Sequence, residues 1–117
     1  MSLLEELKGL GVNIEEGMDR LMGNAALYER MLGTFVKMLQ ESGVQPDFDN
    51  TDYAEITEKA HAIKGAFGNL SITPVYEAYS EIVRLLREDK PEQAKEILKN
   101  ILPIQDEIIQ CINRHRS

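Results

Sequence analysis

One cysteine, Cys111, stands among the 117 residues, so no intramolecular disulfide can form and a zinc site built on several cysteines is excluded. It lies between Ile108, Ile109 and Ile112, where it reads as a small buried apolar residue. Tryptophan is absent, and four Tyr and three Phe are the only aromatic residues. No stretch approaches the roughly 18 consecutive apolar residues of a membrane helix. The opening Met1 to Ile14 contains Glu5, Glu6 and Lys8 and lacks the apolar run of a secretory signal, so the cytoplasm is the expected compartment, with no membrane partner. Basic charge is scarce: 13 Lys and Arg against 20 Asp and Glu give a net charge of −7. No basic run is present to follow a phosphate backbone, so nucleic acid is not an expected partner. No GxxxxGK[ST] loop is present either, which removes the commonest means of holding a nucleotide.

What the chain does have is an ordinary globular composition, 43% apolar and 28% charged, in a length suited to one domain spanning 1–117. A chain this long buries roughly two-thirds of its unfolded surface and needs neither metal nor disulfide to fold. Helical periodicity recurs throughout, and period-two alternation is missing over any useful length, so the fold class is all-α. A short amphipathic opening (Leu3, Leu4, Leu7, Leu10) breaks at Gly9 and Gly11, and a second short piece carries Ile14, Met18, Leu21 and Met22. The first long helix is predicted from Ala25 to Glu41, behind an Asn24 cap, with the stripe Leu27, Met31, Phe35, Met38. A second begins near Thr51 or Asp52 and carries Tyr53, Ile56, Ala60, Ile63, Phe67 and Leu70 without a fault in spacing. A third starts at Pro74 with Tyr76, Tyr79, Val83 and Leu86, and a fourth runs from Glu92 to Arg114, kinked or split at Pro103. Short connectors predict an antiparallel up-down-up-down four-helix bundle with a short N-terminal helical addition.

The second long helix carries one pattern that packing does not require. At about 100° per residue, its apolar stripe centres some 130° from His61, which places that histidine on the surface. Thr57, Lys64, Gly65 and Gly68 lie at i−4, i+3, i+4 and i+7 and share its face. Each glycine costs about 1 kcal/mol relative to alanine inside a helix. Since the stripe continues to Leu70, neither glycine simply ends the helix. His61 alone would read as a solvated surface residue, and Lys64 alone as a solvated charge. Together with two glycines they describe an accessible imidazole on a flat platform, with a cation one turn away to neutralise a bound anion.

The run Ala60-His61-Ala62-Ile63-Lys64-Gly65-Ala66-Phe67-Gly68-Asn69-Leu70 resembles the signature of histidine-containing phosphotransfer (HPt) domains, approximately AHxLKGxxxNLG. Chain length, acidic character and the position of His61 midway along the second of four helices are similar too. Ile63 stands where leucine is usual, and Ser71-Ile72 where Gly-Ala is frequent; these departures bear on the turn after the helix more than on the chemistry. The resemblance implies that His61 is the phosphoryl acceptor and that Lys64 stabilises the phosphate charge, while Gly65, Gly68 and Thr57 form the partner-docking platform. It also implies response-regulator receiver domains and a hybrid sensor histidine kinase as partners. The chain would have no cofactor of its own, the divalent metal being carried by the receiver. Arg84, Arg87 and Lys37 are secondary candidates for positive potential at the level of His61. A monomer is expected, and Met1 suggests a free-standing protein. The competing class is a non-catalytic helical adaptor that binds or sequesters a kinase or receiver. A metal protein is the weakest reading, because His61 has no acid or histidine at i+4 and His115 lies in a fraying terminus.

Overall fold

Local capping signals fix where most of the helices begin. In a computed structural model, which describes residues 2–115, the order is α1 (Leu3–Gly9), α2 (Ile14–Asp19), α3 (Ala25–Ser42), α4 (Ala54–Asn69), α5 (Thr73–Arg87) and α6 (Pro91–Arg114). The expected domain limits, Met1 and Ser117, lie outside the described residues. No strand occurs among the described residues, so the chain is all-α. Ser2, Asn13 and Asn24 each accept a hydrogen bond from a first-turn backbone N–H of α1, α2 and α3, at 3.2, 3.2 and 3.0 Å. Pro74 and Pro91 occupy the first turns of α5 and α6, where a missing N–H costs nothing.

Three expectations need correction. The second long helix starts at Ala54 and not at Thr51 or Asp52, because the backbone N–H and the hydroxyl of Thr51 both donate to the Asp49 carboxylate at 2.8 Å. That local turn competes with a helix start. Pro103 does not split α6, which runs unbroken across it. The carbonyl deprived of its donor belongs to the exposed Lys99, where water can replace the bond. The buried face of α3 is Tyr28, Leu32, Phe35, Val36 and Leu39, whereas Leu27, Met31 and Met38 of the expected stripe are only half-buried.

Packing is most extensive between α4 and α5 and between α5 and α6; α3 touches both α4 and α6. The two short N-terminal helices pack on this assembly, α1 lying on α6 and α2 reaching α3. Phe67 of α4 is the central side chain. Phe35 of α3 meets its ring edge-on at 4.6 Å, and Tyr79 of α5 stacks on it at 5.5 Å. Ala60, Ile63, Phe67 and Leu70 are buried as the stripe requires. Anchoring that face fixes the rotation of α4 about its axis and turns the opposite face, with His61, to solvent.

Candidate functional site

His61 sits in the middle of α4 and is exposed. Among the described residues its ring makes no hydrogen bond or ion pair, so both nitrogens are open to an incoming group. Four residues on, Gly65 is exposed, and a Cβ placed there would meet nothing within 4 Å. The backbone is therefore bare beside the imidazole. Gly68 differs, because an added Cβ would touch the Tyr76 ring of α5 at 3.6 Å, an ordinary contact. A methyl group would fit against that ring, so the packing of α4 on α5 does not itself require glycine there.

Lys64 is half-buried and forms no ion pair among the described residues. With Gly65 and Gly68 it lines an open cleft of about 520 Å³ that Arg20, Ser71 and Tyr76 also border. Thr57 does not join them. Its hydroxyl donates to the Tyr53 carbonyl at 2.8 Å, and it borders a separate depression with Arg87 and Asp89. The secondary cations divide as well. Arg84 is held by Glu81 on its own helix and by Glu88 just beyond its end, so its charge is already balanced. Arg87 stands beside Asp89 and Glu58 in the depression that holds Thr57. Lys37 is exposed and unpaired among the described residues.

The sequence reading missed how firmly the C-terminal end of α4 is held. Arg20, following α2, donates to the carbonyls of Gly68 and Asn69 at 3.0 and 3.2 Å and to the Ser71 hydroxyl. The buried Tyr28 hydroxyl donates to the Leu70 carbonyl at 2.5 Å, and burial pushes that phenol up to about 12. These bonds satisfy carbonyls that every helix end leaves unpaired. Ser71 adopts φ 56°, a left-handed conformation that glycine takes freely and that costs other residues roughly 1–2 kcal/mol. Its hydroxyl donates to Glu16 at 2.8 Å and accepts from Arg20, and these contacts hold the strained turn. The Ser71 bond and, next, Arg20 keep the Glu16 carboxyl below the usual range. The only sequence signal for this network was that Ser71-Ile72 departs from the pattern the preceding run resembles.

On the other flank, Met31, Thr34, Phe35 and Met38 of α3 face Ala66, Asn69 and Leu70 across a shallow, mostly apolar groove. The half-buried methionines that the first stripe included are thus the rim of this groove. Among the described residues, no cluster of three metal-ligating side chains includes His61. The site therefore presents an unshielded nucleophile, one free ammonium a turn away, and a side-chain-free strip between an apolar and a polar flank. No protein-family model, curated protein or solved structure matches the chain.

Proposed function

We propose that this chain is a histidine phosphotransfer protein of a multistep two-component phosphorelay. It accepts a phosphoryl group from a receiver-domain phospho-aspartate onto His61 and passes it to another receiver. The observation that carries the reading is the exposed His61, free of intramolecular bonds, on a helix surface kept bare by Gly65. In this reading α3 to α6 form an antiparallel up-down-up-down four-helix bundle with α1 and α2 as its N-terminal addition. The short connectors 70–72 and 88–90 and the contacts of α3 with both α4 and α6 support that arrangement.

The chemistry follows from what the face supplies. Neutral imidazole is a competent nucleophile near neutral pH. One ring nitrogen of His61 attacks phosphorus in line with the acyl-phosphate bond. The N–P bond forms as the P–O bond to aspartate breaks, the carboxylate leaves, and the second ring nitrogen keeps its proton. Phosphoryl transfer asks mainly for positioning and charge neutralisation, and Lys64 provides the latter on this side. The aspartate and the divalent metal belong to the receiver, so both ends of the reaction need a partner.

Incubation with receivers charged by acetyl phosphate tests the proposal. Acid-labile, base-stable phosphate on the chain, lost in His61→Gln at unchanged thermal stability, is the expected result. Receiver binding without any transfer would instead identify a non-catalytic adaptor.

A further inference from the structure

A second cluster lies where α1 crosses the end of α6, away from the face of His61. Glu6 Oε2 is 3.3 Å from Cys111 Sγ and 2.7 Å from His115 Nε2. One ligand atom from each of the three residues falls within 4.8 Å of the other two, and no other such group exists among the described residues. Sequence reading discounts His115 as terminal and Cys111 as apolar filling. Folding instead brings both onto one carboxylate more than a hundred positions away.

We propose that Glu6, Cys111 and His115 form a binding site for one thiophilic divalent cation, with zinc the preferred ion and water completing the coordination. Thiolate, imidazole and carboxylate together suit zinc better than magnesium or calcium, which take oxygen ligands. Zinc bonds near 2.3 Å to sulfur and 2.0–2.1 Å to nitrogen and oxygen place tetrahedral ligand atoms about 3.3–3.6 Å apart. The observed spacing matches on the sulfur side and needs the imidazole to move outward by about half an ångström on the other. That movement has room, since the His115 and Glu6 side chains are 27% and 28% exposed, which also gives the ion a path inward.

Binding exchanges one proton and involves no redox step. The Cys111 thiol, pushed up to about 11 by burial and by Glu6, gives its proton to the buffer as the Zn–S bond forms. Glu6 supplies one lone pair, and His115 supplies another from Nε2 as the proton between that nitrogen and Glu6 is taken up by Nδ1. Arg114 lies 3.7 Å from the same carboxylate and opposes a cation there, but its side chain is 63% exposed and free to swing away. The ion would pin α1 to the end of α6. The site is independent of phosphotransfer, which uses a different helix face.

The test uses the untagged full chain, stripped with chelator and titrated with zinc against a chromophoric competitor, then with cobalt. The proposal expects one equivalent bound, release of one proton, a thiolate-to-cobalt charge-transfer band and a higher melting temperature. His115→Ala should weaken binding by about tenfold to a hundredfold or more, and Cys111→Ala should remove the band. His61→Gln should bind zinc like the parent. Absence of stoichiometric binding, or a cobalt band that survives Cys111→Ala, overturns the site. Should Cys111→Ala fail to fold, the exposed His115→Ala decides the matter: unchanged zinc affinity in that variant is equally contrary.

Discussion

Replacing Gly65 with glutamine should make the protein more stable and, under the proposed function, slower in phosphoryl transfer. The residue lies inside α4 with an ordinary helical backbone, and an added Cβ meets nothing within 4 Å. Gly65→Ala therefore creates no clash and removes the entropic cost of glycine in a helix, a gain of about 0.5–1 kcal/mol. Glutamine has nearly the helix propensity of alanine, so Gly65→Gln should gain a similar amount, about 0.5 kcal/mol or more. A melting entropy of about 2.1 cal/mol/K per residue over 117 residues converts each kcal/mol into about 4 °C. Differential scanning calorimetry should accordingly show both variants melting about 2–4 °C above the parent. Transfer from a charged receiver, followed by quenched flow, should be little affected by the methyl group of Gly65→Ala. The long side chain of Gly65→Gln lies one turn from His61 and should slow transfer by about tenfold to a hundredfold through misplacement of the phosphoryl group. The opposite signs of the two effects carry the inference. A lower melting temperature would mean that Gly65 has a structural role. Parent-like transfer by Gly65→Gln would mean that nothing approaches the backbone there.

Three further outcomes follow from the packing. In Gly17→Ala the new Cβ would lie 2.7 Å from the Tyr28 ring, which is fully buried and cannot retreat, so overpacking of about 1–3 kcal/mol should lower the melting temperature by about 4–12 °C; a neutral result would show that α2 moves freely. Tyr79→Phe strands the buried Gln105 side chain, whose Oε1 now accepts from the Tyr79 hydroxyl at 2.7 Å, at a cost of about 1–3 kcal/mol in urea unfolding. Adding Gln105→Met should recover part of that loss, and failure to recover it would contradict the assignment. Because the Glu16 carboxyl is held below its usual range in the folded chain, its stabilisation is present above the unfolded pKa and is lost as pH falls through the folded value. Urea midpoints of the parent and Glu16→Gln should then differ at pH 7 and converge as pH falls below the usual carboxylate range, and a gap that stays constant over that fall would refute the coupling to Ser71 and Arg20.

The long helices were legible because burial and periodicity agreed. In α4 the stripe spacing alone located the buried Ala60, Ile63, Phe67 and Leu70, and hence the outward direction of His61. The face of α3 was ambiguous, since Leu27, Met31, Phe35, Met38 and Tyr28, Leu32, Val36, Leu39 both satisfy a helical period. Packing against α2, α4 and α6 together decides which of them is covered. The start of α4 was misplaced because Asp49 and Thr51 bond to each other rather than cap the helix. Long-range polar contacts left no periodic trace. Arg20 reaches carbonyls 48 and 49 positions away, and Glu6 meets Cys111 and His115 only once α1 has folded onto α6. Thr57 shares a helix face with His61, yet its hydroxyl turns back to its own backbone, a choice that a helical wheel does not register.

The most direct test of the central claim is the position of the phosphate after transfer. Tryptic cleavage after Lys59 and Lys64 releases Ala60-His61-Ala62-Ile63-Lys64, which contains one of the two histidines of the chain and no other nucleophile apart from the lysine amine. Tandem mass spectrometry at neutral to alkaline pH, after incubation with a charged receiver, should find the phosphoryl group on that peptide and on the His61 ring. Phosphate on His115, or on no histidine at all, would contradict the account.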